Sequence, residues 1–315
     1  MAYADLSDIK GQQHAKRALE IAAAGQHNLL FLGPPGTGKT MLASRLASIC
    51  PAMTEQEAIE SASIQSISNH GFKLSQWSQR PYRQPHHTAS GVALIGGGSN
   101  PMPGEVSLAH NGVLFLDELT EFSRQSLEVL REPLETGSVC ISRAARQAHF
   151  PARFQLVAAM NPCPCGYQGD PQRHCACNAD QIQRYRSKIS GPLLDRIDMH
   201  ITVPRLAERE LLEESAPVEN SQQVQHRVIL ARAKQIHRCN KSNAQLTSKE
   251  IEQYCKLCEQ GQALIKQAML KLCLSVRAYH RILKVARTIA DLAGEEGISV
   301  AHLSEAIGYR QLDRD

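Results

Sequence analysis

One octapeptide restricts the fold of this chain more than any other feature of its sequence. Residues 33–40 match the pattern G-x-x-x-x-G-K-[ST], follow a short apolar run over residues 28–32 and precede a helical pattern over residues 39–49. A strand, a glycine-rich loop and a helix in this order form a cradle for phosphate groups, because backbone N–H groups and the positive end of the helix dipole face the anion. A glycine-rich turn that merely contains a lysine is the alternative, and the flanking strand and helix disfavour it. The predicted nucleotide-binding residues are Gly33, Pro34, Pro35, Gly36, Thr37, Gly38, Lys39 and Thr40.

Two later apolar runs end in polar side chains that suit the same chemistry. The run over 112–116 is followed by Asp117 and Glu118, and the run over 154–159 is followed by Met160 and Asn161. Since α/β sheets place ligands at the carboxyl ends of their strands, we expect Asp117 to hold Mg²⁺ and Glu118 to act as general base. Acidic residues often follow strands, so this pair alone is weak evidence for a nucleotide site. It becomes strong evidence together with the phosphate loop about eighty residues upstream.

Within this predicted site, Lys39 is expected to reach the β- and γ-phosphates, and the hydroxyl of Thr40 is expected to ligate Mg²⁺. The amide of Asn161 can position the attacking water or sense the γ-phosphate, and it is equally well explained as a turn residue or a cap. The sequence therefore predicts ATP hydrolysis with ATP and Mg²⁺ as cofactors.

The order of strand and helix patterns predicts an α/β layered fold with a mainly parallel sheet. The predicted helices of this part cover 12–24, 39–49 and 122–136. After residue 204 only helices are predicted, so we divide the chain into an α/β domain over 1–204 and an all-helical domain over 205–315. The helices predicted in the second domain cover 207–214, 219–238, 249–257, 261–274, 277–293 and 299–308.

Composition narrows the class of protein. The 315 residues carry a net charge of +4, which neither requires nor opposes a nucleic-acid partner, and only 4% are aromatic, which disfavours base-stacking modules. No apolar run approaches the roughly 18 residues of a membrane span, and the N-terminus lacks the pattern of a signal peptide. We therefore expect a cytoplasmic protein without a membrane partner.

Four of the ten cysteines form two C-x-C pairs, separated by a loop of nine residues. Four soft ligands within a short loop suit tetrahedral Zn²⁺, although C-x-C is tighter than the usual zinc knuckle, and a set of reduced thiols is the alternative. The candidate zinc ligands are Cys163, Cys165, Cys175 and Cys177. The other six are interpreted as buried or half-buried residues, with Cys255 and Cys258 on one helix. His86 and His87 are interpreted as packing or capping residues rather than ligands.

A resemblance to the magnesium-chelatase-like branch of the AAA+ ATPases implies two inserted hairpins. One has its tip at Gly96–Gly98 and Pro101–Gly104, and the other spans 138–150. The second contains Arg143 and Arg146, with no acidic residue between Gly137 and Phe154. We predict that these two arginines contact DNA phosphates without reading sequence. A solvated basic hairpin without a ligand is the alternative.

The sequence resembles the AAA+ ATPases, and within them the magnesium-chelatase-like branch and its ComM (YifB) group of competence proteins. The resemblance covers nearly the whole chain. It rests on the segments Pro85–Thr88, Leu94–Gly98, Pro103–Glu105, Ser107–His110, Asn161–Gly166, Leu194–Asp198 and Ser275–Arg281. Proteins of this group usually carry an N-terminal domain resembling part of Lon protease, whereas this sequence begins at the ATPase module, so we expect a fragment of a longer protein.

The resemblance implies roles for individual residues. Asn161 matches the first sensor, Arg196 matches the arginine finger that reaches the γ-phosphate of a neighbouring subunit, and Arg277 matches the second sensor. Arg281 is the nearest competitor of Arg277 for that last role. For either of the matched arginines, a surface ion pair is the plainer interpretation. The segment Ile9–Gln12 matches the one that borders the adenine.

The resemblance also implies a function. A ring, expected to be a hexamer, encloses single-stranded or branched DNA, and ATP hydrolysis drives helicase activity and branch migration of recombination intermediates during natural transformation. The alternatives are the ATPase motor subunit of a metal chelatase and another protein-remodelling AAA+ module.

Overall fold

The computed structural model of the chain describes residues 4–68, 71–98, 100–143, 146–206, 218–310 and 312. The strands among these residues are β1 (Leu29–Leu32), β2 (Tyr82–Arg83), β3 (Gly96–Gly97), β4 (Met102–Pro103), β5 (Val113–Leu116), β6 (Ser138–Arg143), β7 (Arg146–Pro151), β8 (Gln155–Met160) and β9 (Met199–Thr202).

The helices of the part N-terminal to β9 are α1 (Gln13–Gly25), α2 (Lys39–Ile49), α3 (Glu55–Ser66), α4 (Gly91–Ile95), α5 (Glu105–Leu108), α6 (Arg124–Glu128), α7 (Arg131–Thr136), α8 (Ala179–Arg186) and α9 (Gly191–Leu194). The helices that follow β9 in the described residues are α10 (Ser221–Cys239), α11 (Ser248–Tyr254), α12 (Glu259–Lys271), α13 (Val276–Ala293) and α14 (Val300–Gly308). None of the described helices is both long enough and apolar enough to cross a membrane.

Five strands form one sheet in the order β2-β5-β8-β1-β9, and each pair with a described register is parallel. β1 and β5 are apolar and buried along their whole length, as strands covered by helices on both faces must be. The parallel sheet and the helical C-terminal part confirm the predicted fold class, an α/β AAA+ core followed by a helical domain.

The chain folds as two compact units. The first comprises Met1–Leu32, Gly36–Pro51 and Ile197–Asp315, and the second comprises Gly33–Pro35 and Ala52–Arg196. In the first unit, α1 packs against α2, α10 and α13, and its alanine-rich surface permits close helix contacts. In the second unit, β2, β5 and β8 pair in register, and two hairpins are added. The domain boundary predicted at residues 204 and 205 stays a prediction.

Both inserted hairpins are confirmed as antiparallel pairs. Gly96 pairs with Pro103 in the first, and Ser138 pairs with Pro151 in the second. Glycine is required at position 96, where φ is +102° and a Cβ would lie 2.3 Å from the carbonyl oxygen of Met102. The hairpin therefore depends on the close approach of two backbones.

The helix predicted over 122–136 is wrong as a single element. The segment forms α6 and α7, and Ser123 caps α6 through a hydrogen bond from the N–H of Ser126. Pro133 lies in the first turn of α7, where its missing N–H costs no helical hydrogen bond, whereas it would break one in the middle of a longer helix. The sequence also missed β2 and β9, and the helix predicted over 207–214 lies outside the described residues.

Candidate functional site

The phosphate loop connects β1 to the N-terminus of α2. Gly36 and Gly38 have φ values of +78° and +87°, and a Cβ built on either would meet no atom within 4 Å. The backbone is therefore open to an approaching group at two positions that only glycine adopts without strain. Lys39 is the first residue of the 11-residue helix α2. Lys39 is buried, whereas Thr40 is exposed.

The two carboxylates follow the buried strand β5 directly, as the sequence predicts. Asp117 accepts a hydrogen bond of 3.0 Å from the N–H of Glu118 at its Oδ1. Glu118 adopts a left-handed conformation with φ of +51°. Such a conformation costs a non-glycine residue about 1 kcal/mol or more and is found preferentially where side-chain placement matters for function. Its side chain is 56% exposed.

Asn161 follows β8, which is buried throughout. β5 and β8 are parallel neighbours, with Leu116 aligned to Ala158. Their carboxyl ends therefore lie at one edge of the sheet, and this edge carries Asp117 and Asn161. The arrangement agrees with the prediction that both residues serve one site, and the role of each stays a prediction.

A histidine that the sequence interpretation treated as a packing residue contacts the predicted general base. Nδ1 of His87 lies 3.1 Å from Oε2 of Glu118. The rings of His86 and His87 lie against each other with centroids 4.1 Å apart and an angle of 33° between their planes, and Nδ1 of His86 lies 2.9 Å from Oγ1 of Thr88. The local capping expected of this pair is therefore confirmed for His86 only. No pattern in the sequence indicates the other contact, because His87 and Glu118 lie 31 positions apart.

The predicted arginine finger contacts its own subunit. Arg196 follows α9, donates a hydrogen bond of 2.7 Å from Nη1 to the carbonyl oxygen of Pro192, and forms an ion pair with Glu135. Its side chain is 13% exposed. An arginine that serves a neighbouring subunit has to exchange its contact with Glu135 for a contact with a phosphate.

The two arginines considered for the second sensor differ in environment. Both lie on α13, but Arg281 forms an ion pair with Asp198, whose side chain is only 3% exposed. Arg277 is exposed. Since Arg281 neutralises a buried carboxylate, it serves the fold, and Arg277 stays the predicted sensor.

The segment predicted to border the adenine precedes α1. Ile9 is buried, and its carbonyl oxygen accepts a hydrogen bond from the side chain of Lys16. Gln12 has φ of +53° and donates from Nε2 to the carbonyl oxygen of Pro204 at 2.7 Å. The segment is thus held in a defined conformation, and its contact with adenine stays a prediction.

The basic hairpin is formed by β6 and β7, and Arg143 and Arg146 face each other as its last paired residues. Both therefore stand at the tip. The side chains of these arginines, and residues 144 and 145, lie outside the described part of the structure. Contact with DNA stays a prediction.

The four candidate zinc ligands form one cluster, and all four Sγ atoms lie within 4.8 Å of one another. Cys163 Sγ lies 3.4 Å from Cys165 Sγ and 3.7 Å from Cys175 Sγ, and the latter two are 3.6 Å apart. A hydrogen bond with the backbone of Tyr167 lowers the pKa of Cys165 to about 6. The distances exclude a disulfide, which requires about 2.05 Å.

The remaining cysteines only partly fit their interpretation as buried residues. Cys50 and Cys255 are buried and Cys239 is half-buried, whereas Cys140, Cys258 and Cys273 are exposed. The helix predicted over 249–257 is confirmed, but α11 ends at Tyr254, so Cys255 and Cys258 do not lie on one helix.

Comparison with protein families matches both parts of the chain. The family model described as magnesium chelatase, subunit ChlI, matches residues 5–211, and the model of the C-terminal region of the same subunit matches residues 218–310. Together they cover the chain almost from end to end.

Similar proteins include a competence protein, an uncharacterized protein and a DNA replication licensing factor. Competence protein ComM of Haemophilus influenzae is 58% identical over 98% of this chain and 60% of its own length. The uncharacterized protein YifB of Escherichia coli is 52% identical over 98% of this chain and 61% of its own length. DNA replication licensing factor mcm6 of Dictyostelium discoideum is 24% identical over 78% of this chain and 24% of its own length. The chain thus spans about 60% of the length of the first two relatives.

Proposed function

The chain belongs to the magnesium-chelatase ChlI family of AAA+ proteins, and from this premise we propose that it is an ATP-driven motor that moves DNA. The observation that carries the proposal is the 58% identity with a competence protein over 98% of the chain. The activity is that of a ring helicase, expected to be a hexamer, which promotes branch migration of recombination intermediates during natural transformation in the cytoplasm. Single-stranded or branched DNA is its substrate.

We assign the hydrolytic chemistry to residues of the two sequence motifs. Lys39 contacts the phosphates, Thr40 and Asp117 hold Mg²⁺, and Glu118 takes the proton of the attacking water. Asn161 orients that water. Bound Mg²⁺ supplies positive charge that offsets the charge developing on the phosphate oxygens.

The proposal of a ring follows from Arg196. Its partner Glu135 is 66% exposed, and an arginine that completes the site of a neighbour couples hydrolysis to assembly. Arg277 completes the site from the helical part of the same chain.

A mixing experiment tests this assignment. Lys39→Ala and Arg196→Ala should each abolish ATP hydrolysis, while the exposed control Lys266→Ala should match the parent. Mixed in equal amounts, the two inactive variants should recover part of the activity, because some interfaces then contain an intact lysine and an intact arginine. A mixture as inactive as its components would refute the role of Arg196 between subunits.

The hairpin of β6 and β7 supports DNA as the substrate. Its last paired residues are two arginines, and phosphate contacts by arginine release counterions, so DNA affinity should fall steeply with salt. Charge reversal at Arg143 and Arg146 should weaken binding to single-stranded DNA and reduce the slope of log affinity against log salt by about 0.7 for each phosphate that is no longer neutralised. Reversal at the exposed Arg124 is the matched control. An unchanged affinity and slope in the hairpin variant would remove the proposed contact.

The description of the family favours a second candidate, the ATPase subunit of a metal chelatase or a related protein-remodelling motor. The two candidates differ in what stimulates ATP hydrolysis. We expect single-stranded or forked DNA to stimulate hydrolysis at low salt. If ring-forming, active protein shows no stimulation by DNA, the second candidate replaces the first.

The cysteine cluster adds a third cofactor to ATP and Mg²⁺. We propose that Cys163, Cys165, Cys175 and Cys177 bind one Zn²⁺. Metal analysis of protein purified without chelators should find about one zinc per chain.

A further inference from the structure

The cysteine cluster has the dimensions of a four-thiolate zinc site. Zinc–sulfur bonds of about 2.3 Å place the sulfurs of a tetrahedral site about 3.8 Å apart. The three separations given above for Cys163, Cys165 and Cys175 are 3.4, 3.6 and 3.7 Å, so the side chains need to move by only a few tenths of an ångström. One metal ion at this position would join the two ends of the nine-residue loop between the C-x-C pairs.

The same loop contacts the phosphate-binding motif. Gly166, next to Cys165, has φ of +85°, and a Cβ at this position would lie 2.8 Å from Cδ of Pro35 and 3.8 Å from Cγ of Asn161. Its own N–H donates to the carbonyl oxygen of Cys163 at 3.0 Å, which ties it to the first cysteine pair. The backbone of the cysteine loop therefore rests on a residue of the phosphate loop, beside the predicted first sensor.

The beginning of the phosphate loop is also held by strand β8. The N–H of Gly33 donates to the carbonyl oxygen of Met160 at 3.2 Å. Gly33–Pro35, β8 and the cysteine loop all belong to the second unit. Gly33–Pro35 is therefore held by two neighbours. One is the end of β8, and the other is the cysteine loop, whose conformation depends on the cysteine cluster.

We propose that zinc in the cysteine cluster braces Gly33–Pro35 and Asn161, so that loss of the metal weakens nucleotide binding. This inference rests on the ATP and zinc sites proposed above. Without the metal the loop gains backbone freedom, and ordering even one residue again costs about 1–2 kcal/mol, which corresponds to roughly a tenfold change in affinity.

The first test removes the metal. The double variant Cys175→Ser, Cys177→Ser should contain no zinc, and its dissociation constant for a fluorescent ATP analogue with Mg²⁺ should rise at least about tenfold. Binding is measured under conditions without turnover, so that the result does not depend on hydrolysis. Cys258→Ser, at an exposed cysteine outside the cluster, is the control and should leave zinc content and affinity unchanged.

The second test keeps the four metal ligands and disturbs the backbone of Gly166 and its contact with Pro35. Gly166→Ala retains all four thiols, so zinc should remain stoichiometric, while the added Cβ presses on Pro35 and should weaken binding of the analogue several-fold. This variant decides the matter if the cysteine variant fails to fold.

The outcomes separate the proposals. Absence of zinc from the parent overturns the zinc site and this inference but not ATP binding. Affinity equal to that of the parent in a folded, zinc-free cysteine variant, or in Gly166→Ala, overturns the inference alone. A zinc-loaded parent that does not bind the analogue refutes the proposed ATP site, and the bracing with it.

Discussion

Replacing Arg281 by methionine tests the assignment of the two arginines on α13, because Arg281 pairs with a buried carboxylate and Arg277 is the proposed second sensor. Arg281 neutralises Asp198, whose side chain is 3% exposed. Removing one partner of a buried ion pair costs about 3–5 kcal/mol, since the remaining charge keeps its desolvation cost. Asp198 retains a hydrogen bond of 2.8 Å from the N–H of Asn28, and Nδ1 of His27 lies 3.8 Å away. We therefore expect a loss near the lower limit, about 3 kcal/mol.

The loss is measurable by thermal unfolding. For a domain of this size 1 kcal/mol corresponds to about 2–4 °C, so Arg281→Met should lower Tm by about 6–12 °C. Arg277→Met, on the same helix but exposed, should change the free energy of unfolding by less than about 0.5 kcal/mol and yet abolish ATP hydrolysis. A second substitution, Asp198→Asn, should restore part of the stability lost in Arg281→Met. The reasoning is refuted if Arg281→Met unfolds within about 0.5 kcal/mol of the parent.

Lowering the pH gives an independent measurement of the same ion pair. Burial alone would raise the pKa of Asp198, but the charge of Arg281 and the contact with His27 hold it well below its usual value. A depressed carboxyl pKa contributes stability above the unfolded value of about 3.9, and this contribution is lost as the pH falls below it. The free-energy difference between the parent and Arg281→Met should therefore shrink below about pH 4. A difference that stays constant between pH 7 and pH 3 in urea titrations would contradict this account.

Two further substitutions test the second unit. His87→Ala removes the contact with Glu118 and should lower kcat for ATP hydrolysis several-fold with little change in KM. His87→Gln keeps a polar atom at this position and should recover part of the rate. A kcat of His87→Ala equal to that of the parent would show that the contact does not position the base. Gly112→Ala places a Cβ 2.0 Å from the carbonyl oxygen of Pro81. The substitution should therefore lower the free energy of unfolding, measured by chemical denaturation, by about 2 kcal/mol or more. Stability equal to that of the parent would show that the backbone relaxes freely.

The place of the phosphate-loop motif between a strand and a helix was predictable because its signals are local. A phosphate loop requires glycines at fixed positions between a strand and a helix, and the positive φ values of Gly36 and Gly38 confirm that requirement. Asp117 and Glu118 were predictable for the same reason, since the buried strand that delivers them is continuous in the sequence. The four-cysteine cluster was also predictable, because its members lie within 15 residues of one another.

Contacts between distant segments were not predictable. Arg281 lies within the helix predicted over 277–293, but only the fold brings Asp198 to it. Strand β9 was missed because its burial depends on pairing with β1. Its alternation of Met199 and Ile201 with polar residues is too short to stand out.

The sequence by itself determined the order of strands and helices, the glycine-rich backbone of the phosphate-loop motif, and the chemical types of the residues that follow β5 and β8, because each depends on neighbours along the chain. Only the tertiary structure decided which arginine of α13 is committed to a buried carboxylate, that His87 meets Glu118, and that the cysteine loop rests on Pro35. These contacts depend on how parallel strands align and which loops meet at their ends. A pattern within one segment of the sequence does not show which residue of a distant segment the fold will place beside it.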